Sequence, residues 1–113
     1  MKQGDIVLLP FPFSDLSSSK VRPAVVISNN TYDGEDIIVC GVTSQNIHKQ
    51  SIEIFNENLD QGTLPVISYI RPLKVVSLHK KIVRKIVARL NKDTLQKVIL
   101  LLQEYILIDN INE

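Results

Sequence analysis

Two cationic side chains, Lys20 and Arg22, stand just before a strongly apolar segment in the first third of the chain. Pro23 follows Arg22, and residues 25–27 form a β-branched run typical of a strand that is buried on both faces. Because proline is tolerated only at the first positions of a strand or on an edge, Arg22 is predicted to lie at the start of a strand. A guanidinium held there could bind a phosphate with its rigid fork of donors. The alternative is a solvated surface arginine beside a core strand.

Two hydroxyl residues, Thr43 and Ser44, end a second apolar run that begins at Ile37. The chain turns polar at Gln45, so both hydroxyls are expected near solvent at the end of a strand. There they could donate hydrogen bonds to a phosphate. Alternatively, they could bond their own backbone at the strand exit.

A second arginine, Arg71, precedes Pro72 in the same way that Arg22 precedes Pro23. A residue before proline is pushed into extended geometry, so both arginines are predicted to be in β conformation. Lys74 follows three residues later and adds a further cation. The chain thus offers several phosphate-binding side chains next to predicted strands.

The segment 71–92 is locally basic, although the whole chain of 113 residues carries a net charge of only +1. Eight of the 13 lysines and arginines lie in it, with no aspartate or glutamate among them: Arg71, Lys74, Lys80, Lys81, Arg84, Lys85, Arg89 and Lys92. This asymmetry favours an anionic partner such as nucleic acid. The alternative is that these side chains alternate with apolar residues and point in several directions.

Composition predicts one globular domain, since 113 residues with 44% hydrophobic and 22% charged content can bury a core without disulfides or a structural metal. The single cysteine, Cys40, lies inside an apolar run and is expected to be a small buried hydrophobe, which fits a reducing cytosol. The N-terminus lacks the pattern of a signal peptide, and no apolar run is long enough for a membrane span.

The elements that must position these residues are mostly strands. We expect an antiparallel meander at the start, a long loop over 10–21, a polar turn over 56–62, a turn near 80–83, and a helix after the N-cap Asn91 that ends near residue 106. The predicted strands cover 5–9, the segment up to residue 28, 37–44, 51–54, 66–73 and 86–90. The apolar stripe of the helix is too wide for one face, which indicates a contact beyond its own core.

Several of these segments together, in the same order and over essentially the whole chain, resemble the MazF/PemK (Kid) toxin family. They are Gly4-Asp5-Ile6-Val7, the Val-Arg-Pro core within residues 20–28, Val42-Thr43-Ser44, Ile70-Arg71, and the final helix capped by Asn91. The resemblance implies a mainly β fold, an SH3-like β-barrel of the CcdB/MazF/Kid type with a C-terminal α-helix. It also implies a single toxin domain over residues 1–113 and a homodimer.

The resemblance further implies a cytoplasmic, sequence-specific endoribonuclease that cuts single-stranded RNA without a metal or other cofactor and is neutralised by a cognate antitoxin. The expected chemistry is attack of the RNA's own 2′-OH, which leaves a 2′,3′-cyclic phosphate and a 5′-OH. Arg22 matches the family's catalytic arginine and Thr43 its catalytic threonine. The residues expected to bind RNA are Lys20, Ser44, Arg71 and Lys74.

The sequence departs from this pattern where some relatives carry an acidic residue. Ser68 and the serine run 17–19 occupy those places, so the group that removes the 2′-OH proton stays open. Asp15 is more simply a turn residue, and no spacing pairs His48 or His79 with Arg22. Since an arginine stays charged at pH 7, Arg22 is expected to stabilise developing charge and to donate protons rather than to act as a base.

Two other classes of function remain alternatives at this stage. A CcdB-like poison shares the barrel but acts by binding a topoisomerase, and fold alone does not separate the two. An inactive relative or plain SH3-like module would bind RNA through its basic residues and leave it whole.

Overall fold

The computed structural model describes residues 1–11, 20–31 and 34–110. These residues form seven strands, one α-helix and two short 3₁₀ turns, at Asn56–Asn58 and Lys80–Ile82. The strands are β1 (Asp5–Pro10), β2 (Val21–Val26), β3 (Asp36–Thr43), β4 (Ile52–Ile54), β5 (Leu59–Gly62), β6 (Ser68–His79) and β7 (Lys85–Leu90), and the helix is α1 (Lys92–Ile106). The predicted mainly β architecture with one C-terminal helix is confirmed.

All seven strands belong to one curled antiparallel sheet in the order β4-β6-β3-β2-β1-β7-β5. The first three strands form the expected meander, with Val7 opposite Ala24 and Ala24 opposite Gly41. The neighbour of β3 on its other side is β6 rather than β4. The strand that carries Arg71 is therefore brought directly beside the strand that carries Thr43.

Each face of the sheet covers its own apolar core, as strand alternation requires. One core contains Ile6, Val25, Ile54 and Ile70 and is closed by α1 through the fully buried Val98. The second core lies on the opposite face. It consists of Val7, Leu9, Phe11, Ala24, Val26, Ile37 and Val39. Because the second core ends near Ala24 and Gly41, the same face beyond it is left for polar side chains.

The prediction of a polar turn over 56–62 is wrong. Only residues 56–58 form a turn, and β5 follows at once and pairs with β7 at the edge of the sheet. Gly62 adopts a φ of +76° and lies so close to β7 that a Cβ would overlap the carbonyl oxygen of Val87. An exposed edge strand can be polar, so its sequence looks like turn material.

Strand β6 is longer than predicted, because it continues past Pro72 to His79. Gly41 pairs with Arg71 but Cys40 pairs with Val75, so residues 72–74 form a bulge on β6. Proline has no N–H for the ladder, and the bulge accommodates Pro72 without breaking the strand. The bulge also sets Lys74 outside the regular ladder, next to Arg71.

Helix α1 begins as predicted. The side-chain oxygen of Asn91 accepts a 2.8 Å hydrogen bond from the backbone N–H of Thr94, which caps the first turn. The helix buries Thr94 and Val98 but leaves Leu100 and Ile106 exposed. In the ranges that the structure describes, no helix has the length and hydropathy needed to cross a membrane.

Candidate functional site

A row of polar side chains crosses four strands at one end of the sheet. Thr43 stands opposite Tyr69 on β6, and Tyr69 stands opposite Glu53 on β4. On the other side of β3, the ladder with β2 ends at Ala24 and Gly41, and the same register continued by two residues brings Arg22 level with Thr43. Arg22 pairs with Leu9 of the second core, so it is on the same face. Cross-strand partners share a face at Cβ separations of about 5 Å. Arg22, Thr43, Tyr69 and Glu53 therefore lie side by side on the face of the second core, and this row together with Arg71 is called the polar face.

A second row lies one step closer to that core. Arg71 is opposite Gly41, so its side chain joins the same face as Thr43. Two groups pack beside Gly41: a Cβ there would stand in van der Waals contact with both, 3.6 Å from the ring of Phe11 and 3.5 Å from Cγ of Lys74. The stem of Lys74 therefore lies beside Gly41, and Lys74 lines the same groove as Arg71.

Thr43 is half-buried at the last position of β3. Its Oγ1 accepts a 3.1 Å hydrogen bond from the backbone N–H of Gln45, as the alternative reading from sequence proposed. That bond uses an oxygen lone pair and does not use the hydroxyl proton. Thr43 is thus fixed in place by its backbone bond and can still donate a hydrogen bond.

A groove of about 240 Å³ opens beside Arg71 and Lys74. Its opposite wall is the segment 47–50, where the Ser51 hydroxyl donates a 2.8 Å bond to the carbonyl oxygen of His48. The lining residues are Ile47, His48, Lys49, Gln50, Arg71, Leu73 and Lys74. Three cationic side chains around one polar groove suit an anion.

The other two residues predicted to bind RNA flank this region. Lys20 is exposed immediately before β2, and Ser44 is exposed immediately after β3. Asp15 and the serines at 17–19 lie outside the described residues. The structure therefore groups Arg22, Thr43 and Arg71 on one face, with Lys74, Lys20 and Ser44 at its margins.

The basic segment 71–92 does not form one surface. Lys80 follows the last residue of β6, nine residues after Arg71 and up to about 30 Å away, and its ammonium is 3.7 Å from the Glu35 carboxylate. Arg89 pairs with the buried Asp5. These two ion pairs agree with the alternative, in which the cations of this segment point in several directions. Of the eight cations, Arg71 and Lys74 line the groove.

The two histidines have separate positions. His79 is at the far end of β6, where its Nδ1 accepts a 3.0 Å bond from the backbone N–H of Lys81 and caps a 3₁₀ turn. His48 lines the groove beside Arg71 and Lys74. Among the described residues, no group of three or more His, Cys, Asp or Glu side chains is placed to hold a metal ion.

Sequence reasoning missed the pair formed by Tyr69 and Glu53. Partial burial, together with a hydrogen bond to the Glu53 carboxylate and its negative charge, raises the pKa of the Tyr69 hydroxyl. The alternation of Ile52, Glu53 and Ile54 indicated that the Glu53 side chain is on the opposite face of the strand from the two isoleucines. Nothing in the sequence showed that β4 pairs with β6 so that Glu53 meets Tyr69.

Comparison with known proteins agrees with this architecture. The model of a family described as PemK-like, MazF-like toxin of type II toxin-antitoxin system matches residues 2–106. No curated protein matches the sequence of this chain. Among solved structures, MazF from Deinococcus radiodurans is 25% identical with a TM-score of 0.69, over 93% of this chain and 94% of that chain.

Two further solved structures are similar at lower identity. A MazE-MazF complex from Deinococcus radiodurans is 22% identical with a TM-score of 0.71, over 96% of this chain and 97% of that chain. An endoribonuclease from a mycobacterial species is 15% identical with a TM-score of 0.71, over 92% and 88% respectively. The predicted fold class, a mainly β fold of the MazF type with a C-terminal helix, is confirmed by these matches, and the sheet curls into a half-barrel.

Proposed function

Because the chain belongs to the family of PemK-like, MazF-like toxins of type II toxin-antitoxin systems, we propose that it is a toxin that cleaves single-stranded mRNA. The observation that carries the proposal is the adjacency of Arg22 and Thr43 on one face, with Arg71 one step away. This arrangement supplies a charged fork and a hydroxyl donor to a single phosphate.

The proposed reaction needs no reagent beyond the RNA. The 2′-oxygen attacks the adjacent phosphorus, its proton leaves, the bond from phosphorus to the 5′-oxygen breaks, and that oxygen gains a proton. The products are a 2′,3′-cyclic phosphate and a 5′-OH. Arg22 and Thr43 bind the non-bridging oxygens, whose negative charge grows in the transition state. Since the nucleophile belongs to the substrate and Arg22 neutralises the charge, we propose that cleavage is metal-independent.

The remaining polar residues are proposed to hold the RNA strand. Arg71 and Lys74 bind a neighbouring phosphate at the groove, and Lys20 and Ser44 contact the backbone at the margins of the face. These contacts fix the strand so that the 2′-OH points at phosphorus. Single-stranded RNA fits this site because its bases are unpaired and can contact the same face of the sheet as its phosphates.

We also propose two protein partners and a compartment. An antitoxin is supported by the MazE-MazF complex, whose MazF chain shares this fold. A homodimer is supported by the apolar residues Leu100 and Ile106 that α1 leaves exposed. Residues 1–113 are proposed to form a single toxin domain, which the match over residues 2–106 supports. An mRNA substrate implies that the protein acts in the cytoplasm.

The test is to incubate the purified protein with a long unstructured RNA in excess EDTA and to map the new ends by primer extension. We expect discrete cuts with a 2′,3′-cyclic phosphate and a 5′-OH. Arg22→Ala should remove them, whereas Lys80→Ala, which removes one cation at the far end of β6, should not. Intact RNA with salt-sensitive binding would instead support the RNA-binding module, and intact RNA without binding would point to a CcdB-like poison.

A further inference from the structure

The carboxylate of Glu53 is the feature of the polar face that phosphate binding does not explain. It lies in the same row as Arg22 and Thr43, two strands from Thr43 and so about 10 Å away. A carboxylate repels phosphates, and no cation among the described residues forms an ion pair with it within 4.0 Å. Its partner on a bound RNA is a hydrogen-bond donor, and single-stranded RNA offers the 2′-hydroxyls of its sugars and the N–H groups on its base edges.

Tyr69 holds this carboxylate in place. Tyr69 stands directly opposite Glu53 on β6, and both residues are on regular, paired strands. The interaction of the Tyr69 hydroxyl with the Glu53 carboxylate raises the pKa of Tyr69. One hydroxyl can use only part of the acceptor capacity of a carboxylate, so the remaining lone pairs can accept from a ligand. A carboxylate that is oriented in advance loses little freedom when it binds, which favours selective recognition.

We propose that Glu53, positioned by Tyr69, reads a nucleobase next to the scissile phosphate and selects guanine; this inference rests on the proposed ribonuclease function. Guanine presents two neighbouring donors, N1–H and the N2 amino group, which match the two oxygens of a carboxylate. Cytosine and adenine each place a ring-nitrogen acceptor beside their amino donor, and uracil flanks its N3–H with two carbonyl oxygens. A carboxylate is repelled by those acceptors, so guanine alone pairs in a bidentate way.

The position of the pair fits this role. Tyr69 is the direct neighbour of Thr43, so a nucleotide whose phosphate contacts Thr43 passes over Tyr69 before its base edge reaches Glu53. Ile52 and Ile54 flank Glu53 in sequence and pack on the opposite core, which fixes the direction of the Glu53 side chain. The strand geometry therefore aims the carboxylate at the bases rather than at the phosphate.

The test measures binding and does not depend on cleavage. Short fully 2′-deoxy oligouridylates with one central guanine, inosine, adenine or cytosine are titrated with the wild-type protein, and fluorescence anisotropy gives Kd. We expect guanine to bind about tenfold to a hundredfold more tightly than adenine or cytosine. Inosine, which lacks the N2 amino group, should fall between them.

Three variants complete the experiment. Glu53→Gln should bring the Kd for guanine to within about twofold of that for adenine, and Tyr69→Phe should reduce the preference by about threefold to tenfold. Glu57→Gln, the same change at an exposed glutamate on the 56–58 turn, should leave the preference intact. Equal binding of all four oligonucleotides by the wild type, or a guanine preference that survives Glu53→Gln, would overturn the proposal.

Cleavage of a mixed RNA by the same variants separates this proposal from the proposed function. Cuts without guanine selection would overturn base reading but support the proposed ribonuclease. Guanine-selective binding without cuts would support base reading but overturn the proposed ribonuclease. If Glu53→Gln binds guanine as the wild type does but loses cleavage at every site, Glu53 instead receives the 2′-OH proton and base reading is wrong.

Discussion

Asp5 and Arg89, 84 residues apart in the sequence, form a 2.7 Å ion pair in which Nε of Arg89 donates to Oδ1 of Asp5. Asp5 is 1% exposed, and its other carboxylate oxygen accepts a 2.8 Å bond from the backbone N–H of Lys2. The pair joins the first strand to the last one, β7, next to the start of α1. It therefore ties the N-terminal strand to the last strand before the helix.

We predict that Arg89→Ala destabilises the protein by about 3 kcal/mol, because it leaves the buried Asp5 carboxylate without its cation. Lys80→Ala is the matched control, since it removes the exposed Lys80–Glu35 pair, whose contribution should stay below about 1 kcal/mol. Urea unfolding of both variants measures the difference. Equal midpoints for the two would show that the Asp5 carboxylate finds another partner.

Removal of the Thr43 hydroxyl should slow RNA cleavage far more than it weakens RNA binding. Thr43→Val keeps the shape of the side chain but loses both the Gln45 bond and the donor to the phosphate. We expect a loss in kcat of about a hundredfold, the size of one lost donor to a developing oxyanion. Thr43→Ser should recover most of the rate. A Thr43→Val protein with wild-type kcat would remove Thr43 from the mechanism.

The cations at the groove should control the salt dependence of RNA binding. Lys74→Ala is predicted to lower the slope of log K against log salt by about 0.7, the value for one phosphate contact on a single strand. Arg71→Ala should do the same, while Lys80→Ala should leave the slope unchanged because Lys80 lies at the far end of β6. The measurement is a binding titration at four salt concentrations. A reduced slope for Lys80→Ala would mean that the RNA follows β6 along its length.

The parts of this structure that were predictable from sequence depend on local signals. The run after Pro23 and the polar cap Asn91 act through neighbouring residues, so β2 and the start of α1 were predicted correctly. The extent of β6 was predicted wrongly because of Pro72. A bulge against β3 accommodates this proline, and the bulge depends on how the two strands pair. β5 was missed for a similar reason, since an edge strand needs no apolar pattern.

The candidate site shows the same division. Arg22, Thr43 and Arg71 came from the likeness to a family, and the register of the sheet puts them on one face. Glu53 and Tyr69 carry no motif, because their relation depends on which strand lies beside β6. The direction of each cation in 71–92 likewise depends on tertiary packing, which net charge does not report.

Stability should fall at high pH through Cys40. Burial raises the pKa of the Cys40 thiol from its ordinary value of 9.0 to about 12. Between those values the unfolded chain releases a proton that the folded chain keeps, so the free energy of unfolding falls by up to about 1.4 kcal/mol per pH unit. Urea unfolding of the wild type and Cys40→Ala from pH 8 to pH 11 isolates this term. Parallel pH curves would show that Cys40 ionises equally in both states.

The exposed end of α1 provides the last prediction, which concerns the proposed homodimer. Leu100 in the middle of α1 is 55% exposed, and Ile106 and Leu107 at its end are 67% and 72% exposed, which is unusual for large apolar residues. A second copy of the chain would bury them, so wild-type protein at micromolar concentration should sediment with the mass of two chains.

Ile106→Glu should shift that equilibrium to monomer, because a charge in an apolar interface loses its hydration without gaining a partner. The matched control is Val66→Glu, which puts the same charge on an exposed apolar residue in the loop before β6. If both variants sediment as dimers, the interface lies elsewhere on the surface. If the wild type itself is only a monomer, the exposed end of α1 must serve another protein, and titration with the cognate antitoxin then becomes the decisive measurement.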